Sequence, residues 1–232
     1  MERRLNETTV LGDDFPRYCS HTFLWMMTGL MITAITAFLV LASGLWISIF
    51  SFSLAPIILL VLQLGVVFTL TGRMMHLQPS TVRWLFIGYS VLTGINLSVL
   101  PLAYGVSTMF MAFGYTALMF GCMAMIGATT KRDLSKFSTL LFAGLVTIII
   151  MNVVNMFLHL DGMAMIMNYV TVLIFLGLTA YDMQKIRAIY YSCQYDEDMI
   201  RKSTIYCALE LYLDFINIFL AVLRIFGSSR DN

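Results

Sequence analysis

No aspartate, glutamate, lysine or arginine occurs between Arg17 and Arg73, between Arg83 and Lys131, or between Lys136 and Asp161. A soluble domain needs charge over its whole surface, so uncharged stretches of this length do not suit a water-exposed fold. Only 14 basic and 13 acidic residues stand among 232, and 59% are hydrophobic, whereas about a quarter of an average soluble domain is charged. The chain reads as an all-α, polytopic membrane protein whose main surroundings are the lipid bilayer.

The formal net charge of +1 leaves no excess with which to grip nucleic acid. Cys19, Cys122, Cys193 and Cys207 are scattered without a C-x-x-C pair, and the three histidines are equally isolated, so neither a structural metal nor a disulfide framework is implied. Residues 1–21 form a polar tail that mixes acids with bases and lacks the apolar centre of a cleavable signal. The first spanning helix is therefore expected to serve as the export signal.

A helix needs about 20 apolar residues to cross the hydrocarbon layer. Charges and turn residues divide the chain into seven such segments, near 22–49, 54–75, 82–100, 106–128, 138–158, 163–186 and 204–226. The expectation is one seven-helix transmembrane domain over 22–227, with a short C-terminal tail at 228–232 and no extramembrane domain. Twelve of the fourteen basic residues fall in the N-terminal tail and in the second, fourth and sixth loops, which places the N-terminus in the cytoplasm. Arg224 and Arg230 are the exceptions. Seven crossings put them outside, and a seventh segment that re-enters keeps them inside.

Ionisable side chains inside the hydrocarbon layer cost at least about 2.5 to 3.5 kcal/mol each on insertion scales, so each demands a partner, a wet cavity or a function. Segment seven, STIYCALELYLDFINIFLAVLRIFG, carries Glu210, Asp214 and Asn217 at i, i+4 and i+7 on one helical face. Its flanks are Leu, Tyr, Phe and Ile, which makes it the candidate for the centre of the bundle. Segment six places Asn168, Thr171, Thr179 and Asp182 near one face, and Lys185 and Arg187 lie about one turn beyond Asp182. Asp182 could simply pair with those bases at the interface. Asp214, well inside its helix, is harder to explain that way.

Two carboxylates on neighbouring helices in a low-dielectric interior cannot comfortably both ionise, and such a pair tends to share a proton. It then responds to pH, and when ionised it offers the hard oxygens that suit Ca²⁺. Asn152, Asn155 and His159 in segment five, Gln63 in segment two and Asn96 in segment three are weaker signals that interhelical hydrogen bonding explains. Arg73 ends segment two, where it either snorkels to the surface or latches onto one acid of the pair.

Three stretches carry a family resemblance: GATTKRDLS at 127–135, LTAYDMQKIR at 178–187 and ALELYLDFINIFLAVLRIFG at 208–227. They closely resemble the Bax inhibitor-1/YccA, or transmembrane Bax inhibitor motif, family, and the short loops look like those of a bacterial inner-membrane member. The resemblance implies a seventh helix wrapped by the other six. It also implies a pH-sensitive Ca²⁺ leak gated by two aspartates, which fall on Asp182 and Asp214. Family members with such a leak have an arginine at the cytoplasmic end of the second helix, for which Arg73 is the nearest match. Where relatives carry an acid higher in that helix, this chain has Gln63. Glu210 and Asn217 would line the ion path, with Ca²⁺ as transported ion at Asp182 and Asp214, no resident cofactor and a monomeric chain.

Two other classes compete. A regulator that binds a membrane protease or stress-response partner would conduct nothing. A presenilin-type intramembrane aspartyl protease also uses two acids to activate water, but it needs Gly-x-Gly-Asp, whereas Asp214 sits in Leu-Tyr-Leu-Asp, and it needs a Pro-Ala-Leu that none of Pro16, Pro56, Pro79 or Pro101 supplies. A retinal photoreceptor would need a mid-membrane lysine for its Schiff base, and no span contains one. The sequence points to a non-enzyme.

Overall fold

In an apolar run the backbone finds no hydrogen-bond partner but itself, so helices are the outcome. A computed structural model describes the backbone of residues 2–158 and 161–228, and the side chains of 14–151, 154–155 and 163–227. The described residues form helices α1 (Glu2–Ala42), α2 (Leu45–Phe50), α3 (Ala55–Arg73), α4 (Pro79–Leu97), α5 (Leu100–Tyr104), α6 (Val106–Thr129), α7 (Ser135–Leu158), α8 (Asp161–Cys193) and α9 (Glu197–Ser228), with a 3-10 turn at Met74–His76 and no strand. Six of the described helices are long and apolar enough to cross a membrane, and α7 adds a shorter apolar stretch at Ser135–Met151.

Helix ends have local causes. The first segment, expected to run to residue 49, stops at Ala42: the Ser43 hydroxyl donates back to the Leu39 carbonyl at 2.6 Å, and Gly44 takes a φ of 72°, the left-handed conformation that closes a helix. The remainder forms α2. Proline opens α3 and α4 at their first turns, where its missing N–H costs nothing. The expected polar tail is helical from Glu2, and α8 and α9 each extend about two turns past their apolar limits through residues such as Arg187 and Asp198. α9 runs unbroken for 32 residues, about 48 Å at 1.5 Å per residue.

The chain divides into two compact units. The first comprises Met1–Leu100 and Ile186–Tyr212. In it α4 packs against both α1 and α3. A Cβ on Gly94 would lie 2.7 Å from the Thr33 carbonyl oxygen, so the glycine is what lets α1 and α4 approach. Polar side chains tie the same helices. Thr33 donates to the Ser90 carbonyl at 3.0 Å, Asn96 to Gln63 at 2.9 Å and Gln63 to Thr93 at 3.0 Å. Interhelical hydrogen bonding therefore does account for Gln63 and Asn96. The α9 part of this unit is anchored by Tyr212, which is fully buried, shares a 2.6 Å hydrogen bond with Thr33 and sits edge-on to Phe86 and Tyr89.

The second unit comprises Pro101–Lys185 and Leu213–Asn232. α6 buries Thr108, Ala112, Thr116, Phe120, Ala124 and Gly127, a stripe at helical spacing. Phe113 and Phe120 of α6 close on Phe215 of α9 at ring separations of 5.4 and 5.6 Å. Gly144 of α7 faces Ile174 and Gly177 of α8 faces Leu141, so α7 and α8 also meet over small residues. Of the described spans α9 is the most covered: 67% of its apolar window is buried, against 17 to 33% for the others.

Candidate functional site

Asp182 and Asp214 both belong to the second unit, and both are buried, at 8% and 3% relative exposure. Asp182 is not at a helix end, since α8 continues eleven residues beyond it to Cys193. Asp214 precedes Phe215, whose ring is held by Phe113 and Phe120, so the aromatic packing that docks α9 on α6 fixes the rotation of the helix at the carboxylate. On α8, Thr179 is fully buried and returns its hydroxyl to the Phe175 carbonyl at 2.8 Å.

The backbone beside Asp182 is set by two contacts. A Cβ on Gly127 would lie 2.3 Å from the carbonyl oxygen and 2.7 Å from the Cα of Ala180, a separation only glycine permits. Gln184 donates from Nε2 to the Arg132 carbonyl at 2.7 Å and accepts at Oε1 from the Leu134 amide at 3.0 Å. The loop before α7 is thereby pinned to α8, two residues from the acid. In that loop the Asp133 carboxylate accepts from the Ser135 amide at 3.0 Å and from its hydroxyl at 2.6 Å. The Ser135 hydroxyl, then its amide, hold the Asp133 carboxyl below the usual carboxylate range, with Lys136 adding to the effect against a small desolvation penalty.

The expected stripe on α9 is not uniform. Asp214 is buried, whereas Glu210 and Asn217 are only half-buried, and Asn217 donates to the Leu213 carbonyl of its own helix at 2.8 Å. Glu210 belongs to the first unit and Asp214 to the second. Arg73 is exposed as the last residue of α3, also in the first unit. Among the described residues no three of His, Cys, Asp and Glu gather closely enough to hold a metal ion. The side chains of Asn152 and His159, together with Arg230 and the rest of the short C-terminal tail, lie outside the described residues.

The sequence reading missed several residues. Lys202 is 7% exposed and donates to the Met75 carbonyl at 3.3 Å, just past the end of α3. Tyr18 is buried, with its hydroxyl donating to Ser203 at 3.0 Å. Neither has a periodic signature, and only the tertiary fold brings 18 to 203 or 75 to 202. Gln184 and Gly127 lie within the recognised motifs, but nothing in the motifs says what they touch.

The fold and the buried acids define a class: a helical membrane protein whose last long helices, α8 and α9, each hold a carboxylate out of water. A family model described as "Inhibitor of apoptosis-promoting Bax1" matches residues 16–231, and the chain belongs to that Bax inhibitor family. It is 38% identical over 215 residues to the inner membrane protein YbhL of Escherichia coli K12, covering 92% of each chain. An uncharacterised protein of Borreliella burgdorferi is 35% identical over 217 residues, covering 93% of this chain and 94% of its own. One of Deinococcus radiodurans is 36% identical over 220 residues, covering 94% and 93%.

Proposed function

We propose that this chain is a seven-span inner-membrane protein, N-terminus cytoplasmic, that passes Ca²⁺ passively down its gradient under the control of a proton shared by Asp182 and Asp214. It performs no covalent chemistry and works as a monomer. The inner-membrane assignment follows the E. coli relative, an inner membrane protein, and the orientation follows the basic residues of the tail and even-numbered loops. The observation that carries the reading is the burial of both carboxylates within one compact unit of apolar helices.

The physical sequence is short. With one proton on the pair, the site holds a single negative charge and the helices pack without repulsion. With none, two like charges in a low-dielectric interior repel, and a divalent cation or Arg73 relieves them. Ca²⁺ tolerates irregular oxygen geometry, so two carboxylates supplemented by water give it a transient stop. The same acids therefore sense the proton and meet the ion.

Calcium entry into dye-loaded liposomes, measured at several pH values for wild type, Asp182→Asn, Asp214→Asn and Arg73→Ala, tests this. The expected result is a leak that varies with pH in the wild type and is flat with pH in either Asn variant. A leak that is absent, or indifferent to pH and to Asp214→Asn, makes the protein a non-conducting regulator of a membrane partner. Arg73→Ala indistinguishable from wild type at every pH removes the latch and leaves the pair.

A further inference from the structure

Of the long helices in the first unit, α3 is loosely held. It buries only Ala55, Leu59 and Leu70, and 17% of its apolar window is covered, as little as for any described span. Lipid tails are as apolar as the helix itself, so packing and interhelical hydrogen bonds decide where such a helix lies in a bilayer. Gln63 supplies those bonds in the middle of α3, through Thr93 and Asn96 of α4. Leu70 is the last side chain of α3 to be buried.

Beyond Leu70 the chain is exposed at Thr71, Gly72 and Arg73, and again at Met75 and His76 in the turn that follows. A Cβ on Gly72 would meet nothing within 4 Å, so no packing fixes that residue, and glycine makes the last turn easier to deform. The carbonyls at the end of a helix have no partner within it. Here the Met74 carbonyl accepts from the Leu77 amide at 3.4 Å, and the Met75 carbonyl accepts from the Lys202 ammonium of α9 at 3.3 Å.

Lys202 is 7% exposed, whereas the adjacent Arg201 is exposed and pairs with Glu197 of its own helix. Ser203, Thr204 and Ile205 are buried after it, so Lys202 opens the buried part of α9. Among the described residues no carboxylate lies within ion-pairing distance of Lys202. A buried ammonium without an acid is costly. The end of α3 offsets that cost, because its free carbonyls and the negative end of the helix dipole attract a cation, and a charge-assisted bond is stronger than a neutral one. The contact therefore demands a positive donor at 202, and it is made two residues from Arg73.

We propose that Lys202 is a positioning residue for Arg73: its ammonium fastens the final turn of α3 to α9 and so fixes where the guanidinium can reach. The role rests on the reading in which Arg73 relieves the ionised aspartate pair. Lys202 acts through the backbone of residues 73–75 and needs no contact with the guanidinium. His76, the other titratable side chain on the turn, is exposed.

Amide exchange and calcium flux, both on the full-length protein in liposomes, test this together. Lys202→Met keeps the unbranched stem and removes the charge, while Lys202→Arg keeps a cationic donor. In Lys202→Met the amides from Arg73 to Leu77 are expected to exchange about tenfold faster, as the loss of one hydrogen bond to a charged group allows. The leak of that variant is expected to take the pH profile of Arg73→Ala, and Lys202→Arg to restore both readings. Adding Lys202→Met to Arg73→Ala should change the profile no further, since residues that act through one element are not additive. A lysine that merely stabilised the fold would lower the melting temperature of Lys202→Met and leave the shape of its pH profile untouched, and that result overturns the proposal. Lys202→Gln, shorter and uncharged, gives the same comparison where the Met variant does not fold. If Arg73→Ala itself matches wild type, or no leak is found, the latch reading fails and this role fails with it. If Arg73→Ala departs from wild type and Lys202→Met does not, the role of Lys202 alone is overturned.

Discussion

Gln184 shows how a single side chain holds functional geometry. Its amide bridges Arg132 O and Leu134 N, so it needs both a donor and an acceptor in one planar group. Gln184→Ala loses both bonds and is expected to cost about 1 to 3 kcal/mol. Gln184→Glu retains the acceptor for Leu134. In hydrogen exchange, the Leu134 amide should lose protection in the Ala variant and keep most of it in the Glu variant; equal loss in both would show that the loop is held by something else. Asp133 makes a second case. Its carboxyl titrates lower in the folded chain than in the unfolded one, so its stabilisation is present above the unfolded carboxylate range, around pH 4, and disappears as pH falls through the lower folded midpoint. Ser135→Ala should move that midpoint upward in a carboxyl-resolved NMR titration. An unmoved midpoint would put the shift on the Ser135 amide rather than its hydroxyl.

Elements are placed by what their small residues allow. Gly127 and Gly121 lie on the same helix, yet a Cβ at 127 would strike the Ala180 backbone while one at 121 meets nothing within 4 Å. Backbone cannot swing aside as a side-chain tip can, so α6 and α8 must separate. Gly127→Ala is expected to destabilise by about 1 to 3 kcal/mol, and Gly121→Ala to be neutral or stabilising by up to about 1 kcal/mol from helix propensity. Thermal unfolding of the two variants in the same detergent checks this. Equal melting temperatures would mean that α6 and α8 are further apart than described. Because Gly127 packs half a turn from Asp182, its variant should also disturb the pH response of any leak. Motif glycines of this kind are readable as glycines in the sequence, but their partners, Ala180 here, are not.

For the molecule as a whole, the distribution of charge makes the strongest statement. The proposed topology, seven crossings with the basic loops inside, predicts a cytoplasmic N-terminus and places Arg224 at the far side. A fluorescent protein that matures only in the cytoplasm should glow when fused at the N-terminus and stay dark at the C-terminus, and a phosphatase that needs the periplasm should do the reverse. Two cytoplasmic ends would require an even number of crossings and would displace one of the apolar helices from the count.

The helical class, the segments near their final limits and the two unusual acids were legible in the linear chain, because the membrane imposes strict local rules. Every apolar run must satisfy its own backbone, and every buried charge stands out against it. The positions 182 and 214 were both found this way, and both are buried. The break at Ser43–Gly44 is not written in the hydropathy pattern, since one short-range polar bond and one left-handed residue end the helix there. Folding in three dimensions alone set Gln184 on its loop and gathered Arg17, Arg83 and Gln194 around one cavity. Those are encounters between residues far apart along the chain, and hydropathy, which is a property of neighbours, holds no record of them.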